Sequence, residues 1–84
     1  MSFEIRITHR AEKDIEKLSA KLKDKLHDIL SEAIAINPYQ GKKLLGDLEG
    51  CYSYRLDYQN RIVYRIKTKD KIVYILRART HYGN

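Results

Sequence analysis

The chain has 84 residues, 43% hydrophobic and 33% charged, so residues 1–84 are expected to form one domain. No apolar run nears the roughly 18 residues of a membrane span. The early charges break any signal-peptide core, and the lone Cys51 excludes an internal disulfide, so a cytoplasmic setting is expected. Seventeen Lys+Arg against eleven Asp+Glu give a net charge of +6, which calls for an anionic partner: a nucleic acid, an acidic protein or an anionic surface.

In chain order, Phe3 to Ile7 alternates apolar and polar residues and reads as a strand. Thr8 can cap a helix carrying Ala11, Ile15 and Leu18 on one side and Glu12, Lys13, Asp14, Glu16 and Lys17 on the other. Ser19 offers a second cap, followed by a stripe of Leu22, Leu26, Ile29, Leu30, Ala33 and Ile34. Asn37-Pro38 closes this helix, because proline disfavours a helical residue before it. Residues 39–50 read as a loop with the basic pair Lys42-Lys43. Three strands then follow at 52–56, 61–66 and 71–79, with connections short enough to force antiparallel pairing. The expected fold is α+β, ordered β-α-α-β-β-β, with two antiparallel helices on one face of a mainly antiparallel sheet.

Strand neighbours point to opposite faces, and this parity sorts the last three strands. The expected core face holds Tyr52, Tyr54, Leu56, Ile62, Tyr64, Ile66, Ile72, Tyr74, Leu76 and Ala78. The opposite face then collects Ser53, Arg55, Arg61, Val63, Arg65, Val73, Ile75, Arg77, Arg79 and His81. Five of the seven arginines thus fall on the side away from the helices. A solvated basic face is the plain alternative, since charges also protect open sheet edges. The preference for arginine over lysine favours phosphate, whose oxygens match the planar guanidinium fork. Single-stranded RNA fits such a face. Metal-free RNA cleavage needs a base for the 2′-hydroxyl, a cation for the developing phosphorane and an acid for the leaving oxygen. Arginine serves the second need and histidine either proton transfer, and His81 is the histidine in this neighbourhood. His9 and His27 match no metal-ligand spacing, and no metal or cofactor is expected.

Leu44-Leu45-Gly46-Asp47-Leu48-Glu49-Gly50 leads into Tyr52-Ser53-Tyr54-Arg55-Leu56, then Asn60-Arg61-Ile62-Val63-Tyr64-Arg65-Ile66, and last His81-Tyr82-Gly83-Asn84. In this order these segments resemble the RelE/ParE toxin superfamily, in particular its YoeB/Txe-like branch. The resemblance implies a RelE-like, microbial RNase-like fold and a toxin of a type II toxin–antitoxin system. It further implies an mRNA interferase: a ribosome-dependent, metal-independent endoribonuclease using the 2′-hydroxyl as nucleophile. Arg61 then matches the arginine that stabilises the scissile phosphate, His81 the proton-transfer histidine, and Tyr82 the tyrosine that orients the nucleotide. Arg55 would hold the mRNA backbone, with Arg65, Arg77, Arg79, Lys42 and Lys43 as further RNA contacts. Either Arg77 or Arg79 would be an additional active-site arginine. Lys42 stands where YoeB-like members carry a glutamate base, leaving His81, Asp47, Glu49 or a lysine for that role. Implied partners are an acidic antitoxin, the ribosome with its mRNA, and promoter DNA through the toxin–antitoxin complex, with no membrane. A ParE-like toxin acting on DNA gyrase, or an inactive binding member, are the alternatives.

Overall fold

The structure, a computed structural model, describes residues 2–79. Strand β1 (Glu4–Ile7) leads into helices α1 (His9–Glu16) and α2 (Ala20–Ile29), the latter continued by a π turn at Leu30–Ile34. A 3-10 turn (Pro38–Gln40), the short strand β2 (Lys42–Lys43) and a second 3-10 turn (Gly46–Leu48) precede β3 (Cys51–Arg55), β4 (Arg61–Lys67) and β5 (Ile72–Arg77). The sheet order is β1-β5-β4-β3-β2, parallel between β1 and β5 and antiparallel elsewhere. The α+β order β-α-α-β-β-β holds, with β2 as an addition inside the expected loop. Among the described residues no helix is long and apolar enough to cross a membrane.

Both helix caps form as their sequences dictate. The Thr8 hydroxyl accepts from Ala11 N–H (3.2 Å) and donates to the Ile75 carbonyl (2.8 Å), tying α1 to β5. Ser19 accepts from Leu22 N–H at 3.2 Å. Ser31 donates back to the His27 carbonyl (3.0 Å), and Ala35 N–H reaches the Leu30 carbonyl (2.9 Å), widening the last turn of the helix. Asn37 then caps the turn that Pro38 begins, accepting from Tyr39 N–H.

The core joins Ala11, Leu26, Leu30 and Ile34 of the helical layer to Leu56, Ile62, Tyr64, Val73 and Ile75. The stripes expected for the helices and for β3 and β4 are therefore right, but the parity of β5 is reversed. Val73 and Ile75 are fully buried in the core, whereas Tyr74 lies opposite Arg65 on the far face. β5 lies between β1 and β4, so it is apolar on both faces, and alternation cannot choose between them. The pairing also slips: consecutive Val63 and Tyr64 oppose Arg77 and Ile75, leaving Leu76 as an extra residue. Asp14, expected on the polar side of α1, is 5% exposed.

Tyr64 anchors the far end of the core. Its ring stacks on Tyr52 (5.9 Å between centroids), and its hydroxyl donates to the Pro38 carbonyl at 2.7 Å. Burial pushes this phenol up to about 12, so it stays a donor. Gly41 packs against it: a β-carbon there would collide with the Tyr64 hydroxyl and stand 2.8 Å from the Ser53 carbonyl. We expect Gly41→Ala to cost about 1–3 kcal/mol by forcing β2 off the sheet. Tyr64→Phe, which orphans the Pro38 carbonyl, should cost a similar ~1–3 kcal/mol. Urea unfolding of each variant checks both values.

Candidate nucleic-acid interface

The β3–β4 turn sets the geometry of the site. The Asp57 carboxylate accepts from Gln59 N–H (2.8 Å) and Asn60 N–H (2.6 Å), and Leu56 N–H donates to the Asn60 carbonyl (2.9 Å). Those backbone donations hold the Asp57 carboxyl below its ordinary range, with the Asn60 N–H the main cause. This closed turn places Arg55 directly opposite Arg61 across the β3–β4 pair. At such positions the β-carbons stand about 4.5–5.5 Å apart, and like charges repel.

Among the described residues neither Arg55 nor Arg61 has an acidic partner within ion-pair distance. Together with Gln40, Gly41, Lys42, Ser53 and Tyr54 they line one shallow groove. Lys42 reaches it because β2 pairs it with Ser53, on the same face of the sheet. Arg65 lies farther along that face, four residues from Arg61, or about 13 Å at strand rise. It sits opposite Cys51, with its guanidinium 3.7 Å from the buried thiol sulfur. Val63 and Leu76, with Leu48, line a separate, mainly apolar groove that Thr8, Arg10 and Arg77 border.

The other expected RNA contacts lie elsewhere. Lys43 pairs with Tyr52, so it falls on the helix side, where it lines a different groove with Tyr39, Leu45, Glu49 and Ile66. Arg77 turns to α1 instead of joining the basic face. Its Nε and Nη2 donate to the Asp14 carboxylate at 2.7 and 3.2 Å, and Ala78 N–H adds a third bond at 3.1 Å. Arg79 lines a groove at the α1–α2 turn with Leu18, Ser19, Leu22, Gln59 and Asn60. The five-arginine face thus reduces to Arg55, Arg61 and Arg65: Arg77 comes back opposite Val63 after the extra Leu76, but Asp14 holds its guanidinium, and Arg79 lines the groove at the α1–α2 turn.

Burial alone would raise the Asp14 carboxyl, but the Arg77 and Ala78 hydrogen bonds and the charges of Arg77 and Arg79 outweigh it, holding the group below its ordinary range. The same contact raises Arg77, chiefly through the Asp14 hydrogen bond. Asp14 escaped the sequence reading, although a signal existed. It stands three residues after Ala11 and four before Leu18, on the apolar stripe where a carboxylate needs a buried partner. His81, Tyr82 and the Asp47 side chain lie outside the described residues. Of the base candidates that are described, Lys42 lines the groove with the arginines, whereas Glu49 lines the helix-side one. No group of three or more possible metal ligands occurs among the described residues.

Known structures share this architecture. The toxin–antitoxin complex RelBE2 from Mycobacterium tuberculosis superposes with a TM-score of 0.88 at 27% identity, covering 96% of this chain and 100% of that one. The YoeB-YefM complex from Staphylococcus aureus gives 0.78 at 25% identity, covering 95% and 98%. A double arginine-to-alanine mutant of Escherichia coli toxin RelE gives 0.79 at 22% identity, covering 95% and 84%, a likeness of fold alone. No curated protein sequence matches the chain. The family model of the ParE-like toxins of type II bacterial toxin–antitoxin systems matches residues 5–83, and the chain belongs to that family.

Proposed function

We propose that this toxin is an mRNA interferase: a metal-independent endoribonuclease that cleaves mRNA in the ribosomal A site and so arrests translation. The observation that carries the reading is the Arg55–Arg61 pair, two arginines directly opposite each other across β3 and β4 in a groove shared with Lys42, with no acid in ion-pair range among the described residues. A fold stabilised by burial gains nothing from such a pair, whereas a phosphodiester bridges it. In the proposed reaction the 2′-oxygen attacks phosphorus as its proton leaves to a base. Arg61 stabilises the charge gathering on the phosphoryl oxygens. His81 protonates the departing 5′-oxygen, giving a 2′,3′-cyclic phosphate and a 5′-hydroxyl. Lys42 supplies the base, or His81 takes the 2′ proton first and delivers that same proton to the 5′-oxygen. Tyr82 orients the nucleotide, while Arg55 and Arg65 hold the flanking backbone.

Restraint is assigned to an acidic antitoxin covering the basic face. The complex with the antitoxin is assigned to promoter DNA. A second reading, inhibition of DNA gyrase without RNA cleavage, is favoured by the ParE-like character of the matched family. Mapping mRNA 5′ ends after induction, alongside a gyrase supercoiling assay, separates the two. In-frame cuts confined to translated regions are the expected outcome, and loss of supercoiling with intact mRNA overturns it.

A further inference from the structure

The Ser53 hydroxyl is the buried side-chain polar atom that has no hydrogen-bond partner among the described residues. Ser53 is 2% exposed and stands mid-strand in β3, with Lys42 across from it on one side and Val63 on the other. Leaving a buried hydroxyl unpaired costs about 1–3 kcal/mol, so native folds keep few such groups. Nothing in the packing requires one here. Cys51, two residues back on the same face, and Val63, opposite, are both buried and weakly polar or apolar, and alanine would fill the position without the penalty. What singles out the position is that it lines the groove of Lys42, Arg55 and Arg61.

We propose that the Ser53 hydroxyl donates a hydrogen bond to a nonbridging phosphate oxygen of RNA laid along that groove. This rests on the RNA-cleaving reading above and assigns a contact that reading does not require. In the free protein the hydroxyl is shielded from water, so it surrenders no hydration when an anion takes it as donor. A hydrogen bond to a charged oxygen is about twice as strong as a neutral one. Lys42 and Arg55 are exposed, flexible chains; as they turn toward the phosphate, a rotation about the Ser53 χ1 brings its hydroxyl to the same oxygen. The long cations supply attraction at a distance. The short serine fixes where along the sheet the phosphate stops.

The test uses the full chain and ribosomes programmed with mRNA bearing a 2′-O-methyl group at the A-site codon, which cannot be cleaved. Ser53→Ala is expected to weaken toxin binding about 10-fold, the loss of one hydrogen bond to a charged group. It should leave the slope of log affinity against log salt unchanged, because no cation is removed. Arg55→Ala should make the slope shallower by about 0.7. The melting temperature of Ser53→Ala should equal or exceed that of the parent. Wild-type affinity in Ser53→Ala beside weakened Arg55→Ala overturns the inference and leaves the RNA reading standing. A lowered melting temperature also overturns it, since the hydroxyl would then have a partner within the fold. Unchanged affinity in Ser53→Ala, Arg55→Ala and Arg61→Ala alike overturns the RNA reading itself.

Discussion

Arg61→Ala is expected to lower single-turnover mRNA cleavage on the ribosome by about 10²–10³-fold, the loss of a preorganised group aimed at developing charge. The same substitution should leave the melting temperature unchanged or raise it. That opposite sign follows from the position of Arg61 directly across from Arg55, where like charges cost roughly 0.2–1 kcal/mol. Arg61→Glu sharpens the contrast: it should stabilise the hairpin by pairing with Arg55 and abolish cleavage together. Arg61→Lys keeps the charge but loses the two-pronged fork, so activity should fall between wild type and alanine. Circular-dichroism melting and a reconstituted translation assay on one preparation of each variant measure both quantities. Cleavage by Arg61→Ala at the wild-type rate would remove the arginine from the mechanism.

Asp14→Ala is expected to be among the more damaging single changes on the helical layer, costing about 3 kcal/mol. It strands the Arg77 guanidinium and the Ala78 N–H at once. The estimate takes the low end for breaking a buried ion pair, because the Arg77 side chain keeps 32% of its exposure. The pH dependence has a definite sign. The folded carboxyl titrates below its unfolded value of about 3.9, so the unfolded chain binds the proton first on acidification. The contribution of Asp14 is therefore complete above about pH 4 and disappears as pH falls through the lower folded value. Urea midpoints from pH 7 to pH 2 should drop more steeply for wild type than for Asp14→Asn. Parallel curves would show that the carboxylate is not held ionised by Arg77.

The helices and the β3–β4 hairpin were legible because their signals are local. Thr8 and Ser19 announce caps, Asn37-Pro38 announces a stop, Tyr52 and Tyr54 alternate with Ser53 and Arg55, and Arg61 and Arg65 frame Ile62 and Tyr64 on the opposite face. β5 resisted the same treatment because Ile72 to Leu76 is apolar at every position. Its face is set by its place between β1 and β4, which no window of sequence contains. Arg77 was misjudged for another reason: the extra Leu76 returns it opposite Val63, but the buried Asp14 takes its guanidinium. β2 is two residues long, and it pairs because Tyr64 and Gly41 hold the preceding turn against the sheet. Parity therefore placed Arg55 and Arg61 on one face of the sheet, as the structure has them, but could not tell Lys42 from Lys43. The role of Asp14 as the partner of Arg77 needed coordinates.

The parallel pairing of β1 with β5 has a bearing on biosynthesis. Glu4 finds Ile72 and Ile7 finds Ile75, so the first strand made can dock only after nearly the last residue of the sheet has been translated. Contacts this distant along the chain slow folding, because loop closure must precede any reward from pairing. A nascent chain stalled before residue 72 can form the β2–β3–β4 part of the sheet, but β1 has no strand to pair with and β4 keeps an open edge. The sheet therefore closes in one late step, when β5 enters between β1 and β4.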